Sequence, residues 1–191
     1  MNSTDEVKIV QVQNGNQEFT RVHQTFTGAL GTMPVQIGRI DRVQSKTLYQ
    51  QYQAKKQQLE KQNPGTTIER TLWHGTPQRA TMSIMTYGFN RSYCDKDSNA
   101  LGEGAYFTSD AAYAARDRYA PVDCQGNRHM FLCKVLTGSY TQGQPQIRTP
   151  PQKDPAKQEL YDSVVDDPAN PKIFVVFSDT QAYPEYLISF Q

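Results

Sequence analysis

The apolar positions of this chain fall into short clusters whose periods predict a mixture of strands and helices. Val7–Val12 (VKIVQV) is a β-branched run that predicts a first strand. Phe19, Val22 and Phe26 recur at helical spacing and stop near Gly28, which predicts a short amphipathic helix. Val35 and Ile37 predict a brief strand. Ile40, Val43, Leu48, Tyr52 and Leu59 keep a rough helical period through a Gln/Lys-rich segment that ends at Asn63-Pro64-Gly65. This is the longest predicted helix, with Lys55, Lys56, Gln57, Glu60 and Lys61 on its solvated face. Arg70–His74 predicts a strand. After it, Thr76-Pro77 reads as the N-cap and first position of a helix of about ten residues that stops at Gly88.

The second half of the chain carries the most hydrophobic segments. Asn90–Gly102 is polar without an apolar period and predicts an exposed loop. Ala105–Thr108 predicts a short strand, and Ser109 or Asp110 caps an alanine-rich helix from Ala111 to about Asp117. His129–Leu136 (HMFLCKVL) and Lys172–Phe177 (KIFVVF) predict central strands. Between them, Gly143–Ala156 is rich in Pro, Gly and Gln and predicts a surface segment. Asp162–Val165 predicts a short strand and Tyr186–Phe190 (YLISF) a final one. Many short strands, with the helices gathered early, predict an α+β domain and not a doubly wound sheet.

Composition narrows the class. A chain of 191 residues is most simply one domain, long enough to bury roughly 70% of its unfolded surface. A formal net charge of +1, with no Lys/Arg cluster, leaves no electrostatic footprint for duplex nucleic acid. No apolar run approaches the ~18 residues of a membrane-spanning helix, and Met1–Glu6 does not read as a signal peptide. Three cysteines at irregular spacing (Cys94, Cys124, Cys133) predict reduced thiols, as in cytosol or nucleus. Cys124-x4-His129-x3-Cys133 lacks a fourth ligand and falls on a predicted strand, so no metal is expected.

Two stretches could carry chemistry. Leu72-Trp73-His74-Gly75-Thr76 runs a strand end into a histidine at its rim. The glycine that follows would let backbone amide and carbonyl approach a flat ligand. Such a strand–Gly–helix junction suits a polar or anionic small molecule, although a satisfied histidine at a tight turn has the same pattern. Gly102-x-Gly104-x-Tyr106-Phe107 leads through the capped helix to Tyr113 and Tyr119. Three tyrosines around one strand–helix unit could wall an aromatic ring, or simply fill a core or its rim. Gly-x-Gly without a third glycine and a βαβ setting is not a dinucleotide fingerprint.

Taken together, and in this order, His74-Gly75-Thr76, Gly102-x-Gly-x-Tyr106-Phe107, Tyr113 with Tyr119, and Ile173-Phe174-Val175-Val176-Phe177 resemble the catalytic domain of the poly(ADP-ribose) polymerase family, the diphtheria-toxin-like ADP-ribosyltransferases. Tyr87-Gly88-Phe89-Asn90-Arg91, Val135-Leu136-Thr137-Gly138 and the ending Gln181–Ile188 extend the likeness to the mono-ADP-ribosylating branch at the C-terminus of macrodomain-bearing members. The resemblance covers about Ile37 to Gln191, with an N-terminal strand and helix over residues 1–36 of one catalytic domain. It implies an ADP-ribosyltransferase fold, two packed and mostly antiparallel sheets with flanking helices around an NAD cleft. NAD+ is then the co-substrate, with no metal. His74 would bond the adenosine-side ribose, Gly75 would pair its backbone with the nicotinamide carboxamide, and Tyr106 and Tyr119 would sandwich the nicotinamide ring with Tyr113 close by. Thr76 would bring a hydroxyl near the adenosine ribose, and the loop from about Ser92 to Leu101 would form one lip of the pocket.

Two departures shape the functional expectation. Polymerising members carry a glutamate where this chain has Ile173, and isoleucine can neither hold the nicotinamide-ribose hydroxyl nor polarise an incoming one. The resemblance therefore implies transfer of a single ADP-ribose, with Asp or Glu of an acceptor protein as the first expected target. Most relatives also place a serine, bonded to the carboxamide, where this chain has Ala114. Acceptor proteins, including the enzyme itself, are the implied partners; RNA ends find no support in the composition. The domain would be a piece of a longer multidomain protein of cytosol or nucleus. The rival reading is an inactive domain of the same fold that serves as an interaction module, which Ala114 and Ile173 also suit.

Overall fold

A computed structural model describes residues 7–90 and 100–191. Strand β1 (Lys8–Gln11) is followed by helix α1 (Gln17–Leu30), whose first turn is capped where Asn16 Oδ1 accepts the Phe19 amide at 2.6 Å. Strand β2 (Ile37–Gln44) leads to α2 (Lys46–Gln62), capped by Ser45, and then to β3 (Glu69–Thr76) and α3 (Gln78–Tyr87). Next come β4 (Ala105–Thr108), the single-turn α4 (Ala111–Ala114) and the long β5 (Arg128–Leu136). Short strands follow: β6 (Tyr140–Gln142), β7 (Gln152–Asp154), β8 (Glu159–Leu160), β9 (Ser163–Val165) and β10 (Ile173–Val176). A 3-10 turn at Asp179–Gln181 enters β11 (Ala182–Phe190).

Nine strands form one ladder in the order β1-β2-β11-β5-β3-β4-β10-β9-β6, and β7 and β8 pair separately as a hairpin. Neighbours run antiparallel except β6 and β9. The ladder is nearly cut in the middle, because β3 and β4 pair only at Trp73↔Thr108. The two halves instead share a core. Leu72, Phe131, Cys133 and Leu187 of the first pack with Ala105, Phe107, Phe174 and Val176 of the second. On the opposite face of the first half, α1 lays Val22, Phe26 and Leu30 on Trp73, Met130, Ile188 and Phe190. Phe26 sits 5.5 Å from the Trp73 ring and 5.0 Å from Phe190. The architecture is α+β, and the two packed sheets are halves of one ladder.

Several expected boundaries move, each for a local reason. Ile40 and Val43 lie on strand β2, not on the following helix. Both are buried because β2 has its own strand partners and is covered on both faces, so a three-residue spacing imitates a helical one. Ser45 Oγ, accepting the Leu48 amide, is where the helix begins. Helix α1 runs past Gly28 to Gly31, which ends it with φ 64° after burying Leu30. Thr76 is the last residue of β3, 2% exposed, and Pro77 is the N-cap residue of α3 without a side-chain cap. The Gly88 stop stands, with φ 77° and its amide donating to Ile84 O. Helix α4 ends at Ala114, three residues short of Asp117. Within the supposed surface segment, residues 152–154 form β7. Most of the expected loop between Asn90 and Gly102, and of the lip from Ser92 to Leu101, lies outside the described residues.

Candidate active site

The candidate site begins where the ladder parts. Past Trp73, β3 keeps β5 along one edge, while its pairing with β4 has already stopped. His74, Gly75 and Thr76 occupy this last stretch. His74 is half-buried, with Phe89 4.9 Å and Phe107 5.4 Å from its ring. Its Nδ1–H donates to the Tyr106 carbonyl at 2.8 Å, since a carbonyl oxygen can only accept. Burial holds the His74 pKa below the ordinary imidazole value, against a smaller upward pull from that bond. The ring is therefore neutral, with the Nε2 lone pair left to accept from a hydroxyl.

Gly75 is required by close packing. A Cβ built on it would lie 2.1 Å from the Ala114 carbonyl oxygen and 3.1 Å from Tyr119 Cβ. The end of α4 and the turn that follows thus rest directly on the backbone of β3. Asp110 Oδ1 caps α4 by accepting the Tyr113 amide at 3.0 Å. The Tyr113 and Tyr119 rings then stand 5.1 Å apart at 33°, and their hydroxyls share a 2.6 Å hydrogen bond. The Arg116 guanidinium lies 4.6 Å over the Tyr113 ring. The Ala114 side chain is 3% exposed and belongs to the core under α1.

Tyr106 lies beside His74 through its carbonyl, while its ring packs toward Val164, Val175 and Phe177. Its hydroxyl donates to Gly102 O at 2.8 Å and accepts from Leu101 N at 3.0 Å. The two glycines before it have packing causes. Gly102, at φ 132°, would press a Cβ against Ile147 and Phe177, and Gly104 would press one against the Val176 carbonyl at 2.5 Å. Ile173 opens β10 opposite Thr108, which is itself opposite Trp73. Asp166, the carboxylate at this end of β10, accepts the Lys172 and Ile173 amides at 2.9 Å each. Glu185 is far along the terminal strand and pairs with Lys134 at 3.5 Å.

The structure adds partners that the sequence pattern did not single out. Phe89 and Phe107, read in the sequence only as members of the motifs, pack their rings on His74. His129 Nε2–H donates to Asp123 at 2.8 Å and its Nδ1 lies 3.1 Å from Ser189 Oγ, tying the segment after Tyr119 to the sheet. That bond holds the Asp123 carboxyl down at about 2. Of the Cys/His triplet, Cys133 is buried in the core while Cys124 is exposed. Among the described residues no group of three or more His, Cys, Asp and Glu is placed to hold a metal.

A divided, mostly antiparallel ladder with helices on its faces and a histidine–glycine strand end at its parting is an ADP-ribosyltransferase type of α+β domain. The chain belongs to the poly(ADP-ribose) polymerase catalytic-domain family, whose sequence profile it matches over residues 16–147. The match includes α1, which the sequence motifs alone did not cover. Over 184 residues the chain is 38% identical to the human (Homo sapiens) protein mono-ADP-ribosyltransferase PARP14, covering 96% of this chain and 10% of that protein. It is 36% identical over 184 residues to the Mus musculus protein mono-ADP-ribosyltransferase PARP10, covering 95% and 19%. To the Mus musculus PARP11 it is 36% identical over 203 residues, covering 96% and 60%. The chain thus spans from a tenth to three fifths of these relatives.

Two outcomes test the geometry. Because folding depresses the His74 pKa, the unfolded chain takes up this proton first as pH falls below 6.5. Stability is full above that value and declines as pH drops toward the lower folded pKa. Denaturation midpoints between pH 7 and 5 should show this decline, with a smaller slope in His74→Gln. Gly75→Ala forces the Ala114–Tyr119 turn off β3. It should destabilise the fold by about 1–3 kcal/mol and abolish the rise in Tm given by a benzamide-type nicotinamide mimic.

Proposed function

We propose that this domain transfers one ADP-ribose unit from NAD+ to a protein side chain, releases nicotinamide and adds no further units. The observation that carries this reading is the placement of Ile173 at the parting of the ladder, one residue along from the His74 row, where an apolar side chain supplies neither acid nor base. The relatives' designation as mono-ADP-ribosyltransferases supports it.

The residues present suit NAD+ chemically. The neutral His74 offers an acceptor at Nε2 to a hydroxyl of the adenosine-side ribose, and Thr76 brings its own hydroxyl to that side. Gly75 has the backbone N–H and C=O that a carboxamide can pair with. Tyr119 and Tyr106 flank the nicotinamide ring, with Tyr113 beside them. Holding the dinucleotide in one orientation lowers the entropic part of the barrier to breaking the nicotinamide–ribose bond. Positive charge develops on the ribose as nicotinamide leaves. With isoleucine at position 173, the acceptor's own carboxylate meets that charge and then attacks, which makes Asp or Glu the first acceptor class. Automodification and a place within a longer multidomain protein accompany this reading.

Incubation with NAD+ and a mixed protein substrate, followed by mass spectrometry, should show single ADP-ribose additions. Chains of added units would overturn the one-unit limit. Absence of any addition, while a nicotinamide mimic still raises Tm, would establish a binding module instead. A second outcome concerns Ala114. Ala114→Ser adds a hydroxyl at the end of α4, where the side chain is buried in the core under α1. Benzamide binding tighter by about 0.5–1.5 kcal/mol in calorimetry would mean that this hydroxyl reaches the carboxamide, and unchanged affinity would remove Ala114 from the site.

A further inference from the structure

We infer that Tyr113 is a positioning residue that fixes the ring of Tyr119 through a phenol-to-phenol hydrogen bond. The inference rests on the reading above in which Tyr119 faces the nicotinamide ring. Tyr119 follows a four-residue helix and a turn, a connection that by itself leaves a long side chain several rotamers. The structure restrains it at both ends. At its base, Tyr119 Cβ is set against Gly75, where even a methyl group on the glycine would come within 3.1 Å. At its tip, the hydroxyl is 2.6 Å from the hydroxyl of Tyr113.

Tyr113 is itself held in place. Its amide donates to Asp110 Oδ1 at the helix cap, and the Arg116 guanidinium covers its ring. Burial and the bond to Tyr119 push its phenol up to about 12, so it keeps its proton and can share this bond throughout the neutral range. Tyr113 acts only through Tyr119. Its loss should loosen the stacking platform without removing a group that touches the reacting bond.

The test compares wild type with Tyr113→Phe, Tyr119→Phe and the double variant. In the ligand-free protein, the ring resonances of Tyr119 should move in Tyr113→Phe, with Tm nearly unchanged. Calorimetry with a benzamide-type mimic should show affinity falling about three- to tenfold in either single variant, with no additional loss in the double. With NAD+, KM should rise by a similar factor, more than kcat falls. Equal affinity and unshifted Tyr119 resonances in Tyr113→Phe would overturn the inference. So would tighter binding in Tyr113→Ala, which would mean that Tyr113 fills the slot. Failure of wild type to bind the mimic at all would instead overturn the nicotinamide reading of Tyr119 on which this inference depends.

Discussion

The single bridge between Trp73 and Thr108 is the constraint on which the rest of the molecule turns. Were β3 and β4 paired along their length, the ladder would be a closed surface and His74 one more residue within it. Because pairing stops there, the halves share a common apolar core and the end of β3 keeps a strand partner on one edge, β5. The lost ladder bonds are replaced in part by a side chain, with His74 Nδ1–H reaching the Tyr106 carbonyl. One histidine thereby helps hold the two halves together and keeps its other nitrogen turned to use. Its neutral state follows from burial between Phe89 and Phe107, which are themselves part of the shared core.

Local chemistry was legible in the sequence wherever the cause was local. The start of α4 was readable, with Ser109 or Asp110 as its cap, because capping acts over three residues, and the Gly88 stop because a positive φ announces itself through residue type. The His74-Gly75-Thr76 and Tyr106-Phe107 stretches stood out for the same reason. What was not legible depends on partners distant in the chain. Ile40 and Val43 imitate a helix because β2 is buried on both faces. Thr76 looks like a cap, yet it is the last rung opposite His129. The short strand β6 exists only because β9 runs parallel beside it.

The glycines make the same point more sharply. Gly75, Gly102 and Gly104 are all suggestive of backbone making room for a ligand, and all three prove to make room for protein. Gly75 admits the Ala114 carbonyl, Gly102 admits Phe177 and Gly104 admits the Val176 backbone. This does not remove them from the site. By bringing α4 and its following turn onto β3, Gly75 sets where Tyr119 stands. By letting Phe177 in, Gly102 fixes the carbonyl that holds the Tyr106 hydroxyl. Besides any direct contact of their backbone, they act on a ligand through the position of the tyrosines.

The electrostatics of the candidate site then bear on the reaction. His74 is neutral, residue 173 is a hydrocarbon, and the Asp166 carboxylate at the same strand end is bonded to two backbone amides. His74 and Ile173 bring no negative charge to this end of the ladder, and the Asp166 carboxylate is tied through one oxygen to the Lys172 and Ile173 amides. An enzyme that stabilises its transition state by fixed charge would place one there. On the proposed reading, charge enters with the reactants, as the phosphates of the dinucleotide and the carboxylate of the acceptor, and the acceptor would be tied to the bond-breaking step itself. A ribose hydroxyl of an already attached unit would bring no such charge, so on that reading the same feature that permits the first transfer discourages the second.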